Sequence, residues 1–299
     1  MKKGKKPLSA QFKHNRNLYL MMAPFFLLFT IFTVFPVLFS IAMSFTNFNV
    51  LQMPSFVGGL NYKKLLLDDP IFIKAIQNTF IMAVIVGPIG FILSFVMAWM
   101  INELPRMLRV LLTIILYAPS LAGNAFMIWT LIFNSDANGY ANSFLIGNGF
   151  ITKAITWLTD TKYMMVIVIG VQLWMSFGVG FLSFIAGLQG VDRSQVEAGE
   201  LDGIRNRWQE LWFIILPSMK PQLLFGAIMS ITTSFSITGS ALTGFPSTSY
   251  GTHTILDHLN DYGMIRLELG YACSIAVLLF FIMLFSNMLV QKFIRRVGT

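Results

Sequence analysis

The chain has 299 residues, of which 56% are Ala, Val, Ile, Leu, Met, Phe, Trp, Tyr or Cys and only 11% are charged. A soluble domain carries about 25% charged residues, so too few polar side chains remain here to cover the surface of a soluble globule. This composition excludes a soluble enzyme and, despite the net charge of +8, a soluble nucleic-acid-binding module. The sequence predicts an integral membrane protein.

Six charge-free stretches are long enough to cross a bilayer, which takes about 20 mostly apolar residues. The predicted spans are residues 18–45, 76–101, 110–133, 163–188, 223–242 and 270–291. The apolar run after the lysine-rich N-terminus is much longer than the hydrophobic part of a signal peptide, so the first span is predicted to be a retained anchor. The predicted fold class is all-α, with a basic tail at residues 1–17 and one six-helix transmembrane domain at residues 18–296.

The lysines and arginines are distributed unevenly between the two sides that six spans define. The side shared by both termini carries 15 of them, and the opposite side carries six. Basic residues accumulate in cytoplasmic loops, so both termini are predicted to be cytoplasmic. The basic charge then faces anionic membrane lipid, and no nucleic-acid partner is expected.

The predicted spans contain no Asp, Glu, Lys, Arg or His. Ion-coupled transporters usually keep ionisable groups at mid-membrane, so a proton-coupled symporter is disfavoured and a passive channel or an externally driven permease remains. The sequence has no GxxxxGKS or GxxxxGKT motif, so ATP that drives transport would be hydrolysed by another chain. The single cysteine, Cys273, excludes a CxxC-type site. We expect no catalytic residues, no metal site and no bound cofactor.

The fourth predicted span carries small residues on one helical stripe, namely Ser176, Gly180, Ser183 and Gly187. Small residues let another helix approach closely. The stripe fits ordinary packing within the chain, and it also fits contact with a second membrane subunit.

The fifth predicted span is rich in hydroxyl groups, which occupy seven of the eleven positions from 230 to 240. Ser230, Ser234 and Thr238 recur at every fourth position and therefore share a helical face. Such hydroxyls can bond carbonyls of their own helix or of a neighbouring helix. They can equally line a neutral path, which suits a sugar because a polyol needs donors and acceptors without fixed charge.

Three further polar or aromatic side chains are candidates for the same path. Gln172 and Trp174 offer an amide and a stacking face in the fourth span, and Asn124 lies in the third. Each could instead serve interfacial anchoring or helix contacts. The predicted substrate path comprises Asn124, Gln172, Trp174, Ser230, Ser234 and Thr238.

A polar cluster precedes the last span, formed by His253, Asp257, His258 and Asp261. The two histidines are five residues apart, whereas a helical zinc pair needs a separation of four. We therefore expect a solvated loop here.

The loop at residues 191–221 carries the most informative pattern of the sequence. Ser194 followed by Glu197 fits a capping box that opens a helix. Gly199 and Gly203 are unfavourable inside an exposed helix, at about 1 kcal/mol each relative to alanine. They therefore indicate a sharp turn or the close approach of another chain. Leu216-Pro217 ends the segment before the fifth span.

An apolar face follows the two glycines. Its members recur at helical spacing and are Ile204, Trp208, Leu211, Trp212 and Ile215. A short helix, a glycine break and an apolar face outside the membrane predict a docking element for a cytoplasmic partner.

The pattern Glu197-Ala198-Gly199-x-x-Asp202-Gly203, followed by Leu216-Pro217, resembles the EAA loop of ABC importer permeases. It departs from the family pattern in having Gly199 in place of the second alanine, and in a separation from Gly203 to Leu216 that is one residue longer than the commonest. Other stretches are similar to the carbohydrate branch of that family, at residues 56–62, 69–79, 133–134, 187–189 and 270–272. The resemblance covers residues 18–296 and is to a sugar permease subunit.

This resemblance implies a multi-pass protein of a prokaryotic inner or plasma membrane with the fold of a type I ABC importer permease. It implies a transporter subunit rather than an enzyme. The implied partners are a second, usually different, permease subunit, two ATPase subunits that use the ATP, and an extracytoplasmic solute-binding protein that delivers the sugar. The residues implied to dock an ATPase are Glu197, Ala198, Asp202, Gly203, Leu216 and Pro217.

Two alternatives remain open from the sequence. One is an ABC permease for another solute, such as an amino acid or phosphate, which the neutral fifth span disfavours. The other is a self-contained channel or facilitator, which would conduct without ATP. A membrane-embedded enzyme is disfavoured because no candidate catalytic cluster lies within or beside the predicted spans.

Overall fold

The computed structural model describes residues 16–294. Over these residues the chain is almost entirely helical, and its extended pairing is limited to two isolated bridges in the loop after the first span. Most of the basic tail predicted at residues 1–17, and the last residues of the domain predicted at 18–296, lie outside the described residues.

The helices of this region are numbered in chain order. They are α1 (Asn17–Met43), α2 (Leu60–Lys63), α3 (Pro70–Asn102), α4 (Arg106–Leu121), α5 (Phe126–Ile132), α6 (Tyr140–Gly147), α7 (Met164–Trp174), α8 (Val179–Gln189), α9 (Arg193–Leu201), α10 (Arg207–Ser218), α11 (Lys220–Phe235), α12 (Ser240–Thr243), α13 (Ile255–Asn260) and α14 (Leu269–Ile294).

Four helical segments are long and apolar enough to cross a membrane, namely α1, α3, α7 together with α8, and α14. Two further candidates are bent pairs, α4 with α5 at an angle of 86° and α10 with α11 at 82°. When each bent pair is counted as one span, length and composition allow up to six spans, which is the number that the sequence predicts. In the second pair, α10 belongs to the 191–221 loop, so the predicted fifth span corresponds to α11.

Three of the predicted spans are not continuous helices. The third, predicted at 110–133, is interrupted where Ala122 adopts an extended conformation with ψ of 101°. The fourth is interrupted before α8 because Gly178 takes a non-helical conformation, which costs glycine little. The fifth, predicted to reach residue 242, ends at Phe235. The hydroxyl-rich run beyond it bonds to backbone groups in competition with the helix.

The central core forms where α3, α8 and α11 pack together. Phe184 of α8 is buried, and its ring meets the rings of Phe91 and Phe95 of α3 edge to face, with centroids 5.4 and 5.6 Å away. On the other side, a Cβ placed on Gly226 of α11 would lie 2.3 Å from Cζ of Phe184. The three helices are therefore so close that only glycine fits at position 226.

The small-residue stripe of the fourth span packs within the chain. A Cβ on Gly180 would lie 3.4 Å from Cα of Gly226, and a Cβ on Gly187 would lie 2.9 Å from the side chain of Gln222. The sequence left open whether this stripe packs within the chain or against a second membrane subunit. For these two glycines, the contact is with α11 of the same chain.

A second core cluster lies at the end of the bundle opposite the 191–221 loop, where Phe72, Ile255 and Ile275 are fully buried. The expectation of a solvated loop here is wrong, because the segment from 244 to 268 folds over the ends of α3 and α14. The exposed fraction is at most 6% for each of the four polar residues concerned, His253, Asp257, His258 and Asp261.

The first helix, α1, stands apart from the rest of the bundle. No residue of its apolar stretch is buried by the other described residues. Its second half, Phe35–Met43, runs against α14.

Candidate functional site

The helix at the start of the candidate docking loop, α9, is capped by Asp192. The carboxylate of Asp192 accepts a hydrogen bond of 3.0 Å from the backbone N–H of Ser194, and this bond lowers the pKa of Asp192. The capping box expected at Ser194 and Glu197 is therefore wrong by two positions. Aspartate is among the preferred capping residues because it satisfies an N–H that the helix cannot.

Replacing Asp192 with alanine is expected to loosen the first turn of α9. Loss of a helix cap costs about 1 kcal/mol, so the backbone amides of residues 193–197 should exchange with deuterium roughly five times faster. Hydrogen–deuterium exchange measured by mass spectrometry checks this. Ser194→Ala is the matched control, because it keeps the backbone N–H that Asp192 binds. Equal effects of the two variants would contradict the capping assignment.

The other end of α9 closes in a glycine-dependent turn. Gly203 has φ of +100°, the N–H of Gly203 bonds to the carbonyl of Glu200 at 3.2 Å, and the N–H of Ile204 bonds to the carbonyl of Gly199 at 2.9 Å. These two bonds define a Schellman motif, in which the residue after the cap adopts a positive φ that favours glycine. The positive φ of this turn explains why position 203 is a glycine, and a sharp turn is one of the two reasons that the sequence indicated.

Gly199 has a different role, which is close packing inside the chain. It is buried, and a Cβ there would lie 2.6 Å from Cδ1 of Ile214 in α10 and 3.0 Å from Cδ1 of Ile204. The close approach that the sequence indicated at this position is made by the chain's own α10. The contact fixes α9 against α10.

The predicted docking residues occupy two different places. Glu197, Ala198, Asp202 and Gly203 are all exposed along the outer side of α9 and its turn. Leu201, on the same helix, is 90% exposed. Leu216 and Pro217 are half-buried at the end of α10, next to the fifth span. The outer side of α9 therefore offers a carboxylate, small residues and one leucine to a partner.

The apolar face expected after Gly203 is divided between two directions. Leu211 and Ile215 are buried in the central core, whereas Trp208 and Trp212 are mostly exposed. Ile204 is half-buried. A π-helical turn at Leu211–Ile215 lies within this segment of α10.

This π-helical turn also accounts for the unusual spacing of the loop. The N–H of Leu216 bonds to the carbonyl of Leu211, five residues earlier, instead of four as in an α-helix. Such a turn accommodates one extra residue. The separation from Gly203 to Leu216 is one residue longer than the commonest, and the additional residue is absorbed here.

The loop is also joined to the end of α3. Arg207 lies 3.5 Å from Glu103, directly after α3, and 2.8 Å from Glu210 in its own helix. The ring of Trp208 packs on the ring of Trp99 in α3, with centroids 5.4 Å apart. A displacement of α9 therefore reaches α3 through α10.

A cavity of about 310 Å³ lies between α3, α4, α7, α8 and α11. Its polar lining residues are Ser94, Tyr117, Ser120, Gln172, Ser176, Ser230 and Thr233. No charged side chain of the described residues contributes to its wall. The wall therefore offers hydroxyl groups and one amide among apolar side chains, without fixed charge.

Only two of the six predicted path residues line this cavity, Gln172 and Ser230. Ser230 also donates to the carbonyl of Gly87 in α3 at 2.6 Å. Ser234 is buried against Gly87, and its hydroxyl bonds to the carbonyl of Ile231 in its own helix.

The other three predicted path residues lie elsewhere. Thr238 falls beyond the end of α11 at Phe235, so it does not share the helical face that the sequence suggested. Asn124 is exposed in the break between α4 and α5. Trp174 packs edge to face on Trp129, with ring centroids 5.4 Å apart.

Sequence reasoning missed Ser94 and Ser120 as lining residues. For Ser94 a signal existed, because Gly87, Gly90 and Ser94 follow each other at spacings of three and four, which places small residues on one stripe of α3. For Ser120 there was no such pattern.

Comparison with known protein families gives one match that spans most of the chain. Residues 90–299 match the family model described as "Binding-protein-dependent transport system inner membrane component".

Curated relatives match over most of their own length. The chain is 30% identical to the lactose transport system permease protein LacF of Rhizobium radiobacter over 216 residues, covering 72% of this chain and 71% of that protein. It is 28% identical to the arabinooligosaccharides transport system permease protein AraP of Bacillus subtilis, covering 92% and 87%. It is 26% identical to the sn-glycerol-3-phosphate transport system permease protein UgpA of Agrobacterium fabrum, covering 93% and 94%.

The fold is also similar to that of a solved structure. A chain of a bacterial ABC transporter involved in the import of the acidic polysaccharide alginate superposes with a TM-score of 0.78 at 21% identity, covering 98% of this chain and 100% of that one. The same transporter has been solved in complex with its alginate pentasaccharide-bound periplasmic protein.

Proposed function

The chain belongs to the family of binding-protein-dependent transport system inner membrane components, and from this premise we propose that it carries a neutral sugar through the membrane as one permease subunit of an ATP-driven importer. It is a multi-pass membrane protein of a transport family, not of an enzyme family. The finer parts of the proposal are the sugar, the partner subunits and the orientation in the membrane.

The uncharged cavity carries the proposal of a neutral sugar. Its serine and threonine hydroxyls donate to backbone carbonyls and keep their oxygen lone pairs as acceptors, while Tyr117 and Gln172 add donors, so the wall offers both kinds of group to a polyol. A phosphate or carboxylate would require compensating cations, since an unpaired charge in a low-dielectric site is costly. Two of the relatives are named for lactose and for arabinooligosaccharides, which are neutral.

The outer side of α9 is the proposed docking site of an ATPase subunit. Glu197, Ala198, Asp202 and Gly203 are exposed there on a helix that is held rigidly against α10 by Gly199. ATP would be bound and hydrolysed by that partner. When the ATPase moves α9, the contacts of α10 with the central core would pass the movement to α3 and α8, which line the cavity.

The loop containing α9 is proposed to face the cytoplasm, with both termini on the same side. The support is the excess of basic residues on this side of the spans. The opposite end, with the segment from 244 to 268, would then face the solute-binding protein. A second permease subunit would complete the cavity, which is open at one side.

Purification of the tagged chain from its native membrane, followed by reconstitution, tests this proposal. We expect an ATPase and a second permease to copurify, and the complex with its solute-binding protein to show ATP-dependent uptake of a neutral oligosaccharide. A matched panel should compare that oligosaccharide with its phosphorylated and uronic acid counterparts of equal length. Preferential uptake of a charged counterpart would refute the neutral substrate, and ATP-independent flux through this chain alone would refute the importer.

A further inference from the structure

A buried chain of hydrogen bonds crosses the end of the bundle opposite α9. Asp69 caps α3, with its Oδ1 accepting from the N–H of Phe72 at 2.9 Å. Its Oδ2 accepts from the hydroxyl of Tyr271 in α14 at 2.9 Å and lies 3.1 Å from Nε2 of His258 in α13. Nδ1 of His258 lies 3.1 Å from Nε2 of His253. These hydrogen bonds join three segments that are far apart in the sequence.

The positions of the protons follow from the charge of Asp69. Burial alone would raise the pKa of Asp69, but the bond from Phe72, the proximity of His258 and the bond from Tyr271 outweigh it and hold that pKa below its ordinary value. The ionised carboxylate requires His258 to donate from Nε2, so Nδ1 of His258 accepts from Nε2 of His253. Nδ1 of His253 is then an unprotonated acceptor, and it is buried with no partner atom among the described residues.

Asp257, which lies on the same helix as His258, holds the segment that follows the fifth span. Asp257 of α13 accepts from the N–H of Gly239 at 3.0 Å and from the hydroxyl of Ser240, at the start of α12 and a few residues beyond the end of α11 at Phe235. It also accepts from the N–H and the hydroxyl of Thr254, which closes the cap of α13. Because α13 also carries His258, this one short helix ties together the outer ends of α3, α11 and α14.

Charged groups from the neighbouring elements surround the histidines, but they do not take part in the hydrogen bonds that join Asp69, His258 and His253. Arg266 is paired with Asp261 at 2.8 Å and lies over the ring of Tyr262, with its Cζ 4.4 Å from the ring centroid. Lys64, after α2, lies 4.8 Å from the ring centroid of Tyr271 and 3.9 Å from Glu268. The described titratable and charged groups that face the histidines are Asp69, Tyr250, Asp257, Asp261, Tyr262, Arg266 and Tyr271.

We infer that Asp69, His258 and His253 are positioning residues for transport, forming a lock that holds the outer ends of the second, fifth and sixth spans as one unit and that weakens when the histidines take up a proton. The reaction is a single protonation: hydronium gives a proton to Nδ1 of His253, which already carries a proton on Nε2, and the products are water and a buried imidazolium. The hydrogen bonds of the chain remain after this step, but the new charge is buried without a partner atom, which is costly. A second proton would bind Nδ1 of His258, break its bond from Nε2 of His253 and place two cations side by side.

The pH range of the lock follows from the direction of the shifts. Burial lowers the pKa of His253 to about 4 and lowers that of His258 as well, even though Asp69 partly offsets the effect on His258. An unlocked or unfolded state, in which the histidines are solvated, would therefore bind protons first. The lock is complete above the ordinary histidine pKa of 6.5 and is lost progressively as the pH falls from there towards about 4.

The lock matters for transport because α11 carries Ser230 and Thr233 in the wall of the cavity. Asp257 holds Gly239 and Ser240, so the segment that leads out of α11 is tied to the ends of α3 and α14. This link to uptake rests on the proposed function, whereas the lock itself does not.

Hydrogen–deuterium exchange of the purified complex in lipid nanodiscs tests the lock without reference to any substrate. For His258→Ala we expect the amides of residues 239–260 to exchange about tenfold faster than in wild type near pH 7, because a buried hydrogen bond to a charged group is lost. His253→Gln can still donate from its amide to Nδ1 of His258 but has no Nδ1 to protonate. We therefore expect its amides to exchange as in wild type near pH 7, and we expect it to lack most of the acceleration that wild type shows when the pH falls from 6.5 to 4.

The control is His14→Gln, which removes the remaining histidine of the chain, at a position outside the described residues, and should leave both results unchanged. An acid acceleration of His253→Gln equal to that of wild type would overturn the inference. So would normal exchange of His258→Ala near pH 7. If His258→Ala does not fold, His253→Gln decides. Uptake assays on the same variants should show the same pH profiles, and a failure of uptake in every chain, wild type included, would count against the proposed substrate and not against the lock.

Discussion

Replacing Gly203 with valine is expected to abolish ATP-driven uptake while the chain still inserts into the membrane. At a φ of +100°, a β-branched residue is strained by about 1–3 kcal/mol, so the Schellman turn that ends α9 should open. The exposed residues Glu197, Ala198 and Asp202 would then leave the orientation that we propose the ATPase recognises. Uptake, ATP hydrolysis and the amount of chain in the membrane fraction should be measured together.

Gly147→Val is the matched control for this substitution. Gly147 is exposed in α6, at the other end of the bundle, and no described atom lies within 4 Å of the position of a Cβ there. It should retain most of the uptake. If Gly203→Val transports normally at wild-type abundance, the outer side of α9 is not the docking site.

Replacing Gly226 with alanine is expected to destabilise the permease severely. Its Cβ would come within 2.3 Å of the ring of Phe184, which cannot move away because Phe91 and Phe95 enclose it from the other side. Overpacking of a filled core costs typically 1–3 kcal/mol, and we expect about 3 kcal/mol here because the ring is held on both sides. The yield of detergent-stable protein and its thermal unfolding midpoint should both fall.

A second substitution distinguishes a steric effect from a general loss of fold. Phe184→Leu removes the ring that meets the new methyl group, so Gly226→Ala should cost much less in that background than in wild type. Gly170→Ala in α7 is the control within a span, because no described atom lies within 4 Å of its Cβ position. Additive effects of Gly226→Ala and Phe184→Leu would contradict the proposed contact.

The number of spans could be predicted because the bilayer imposes a length and a polarity on each of them. The breaks within the spans could not be predicted from the sequence. The interruption at Gly178 has no proline and depends on how α8 fits between α3 and α11. The end of α11 at Phe235 moves Thr238 off the expected face, and no feature within the apolar stretch distinguishes that end from a continuing helix.

The 191–221 loop and the polar lock show what a local sequence pattern can and cannot reveal. The helix and the glycine turn of the loop could be predicted because its glycines, its carboxylates and Pro217 lie within one short segment, whereas docking of an ATPase there stays a prediction. The sequence analysis expected the histidines to be exposed to solvent. Their partner Asp69, which explains their burial, is 189 positions away from His258. A local pattern cannot reveal such a partner. Ser230 and Ser234 lie one turn apart on the same helix and both contact Gly87, but only Ser230 also lines the cavity. Their shared helical face does not distinguish them.

The isolation of α1 has a consequence for the order of biosynthesis. The contact of α1 with its neighbour is made by α14, which begins about 225 residues later in the chain. At a translation rate of about 5–20 residues per second, roughly 10–45 s pass before that neighbour exists. During this interval α1 must persist in the bilayer as a lone helix, and a surface that is apolar on every side is what such a helix needs.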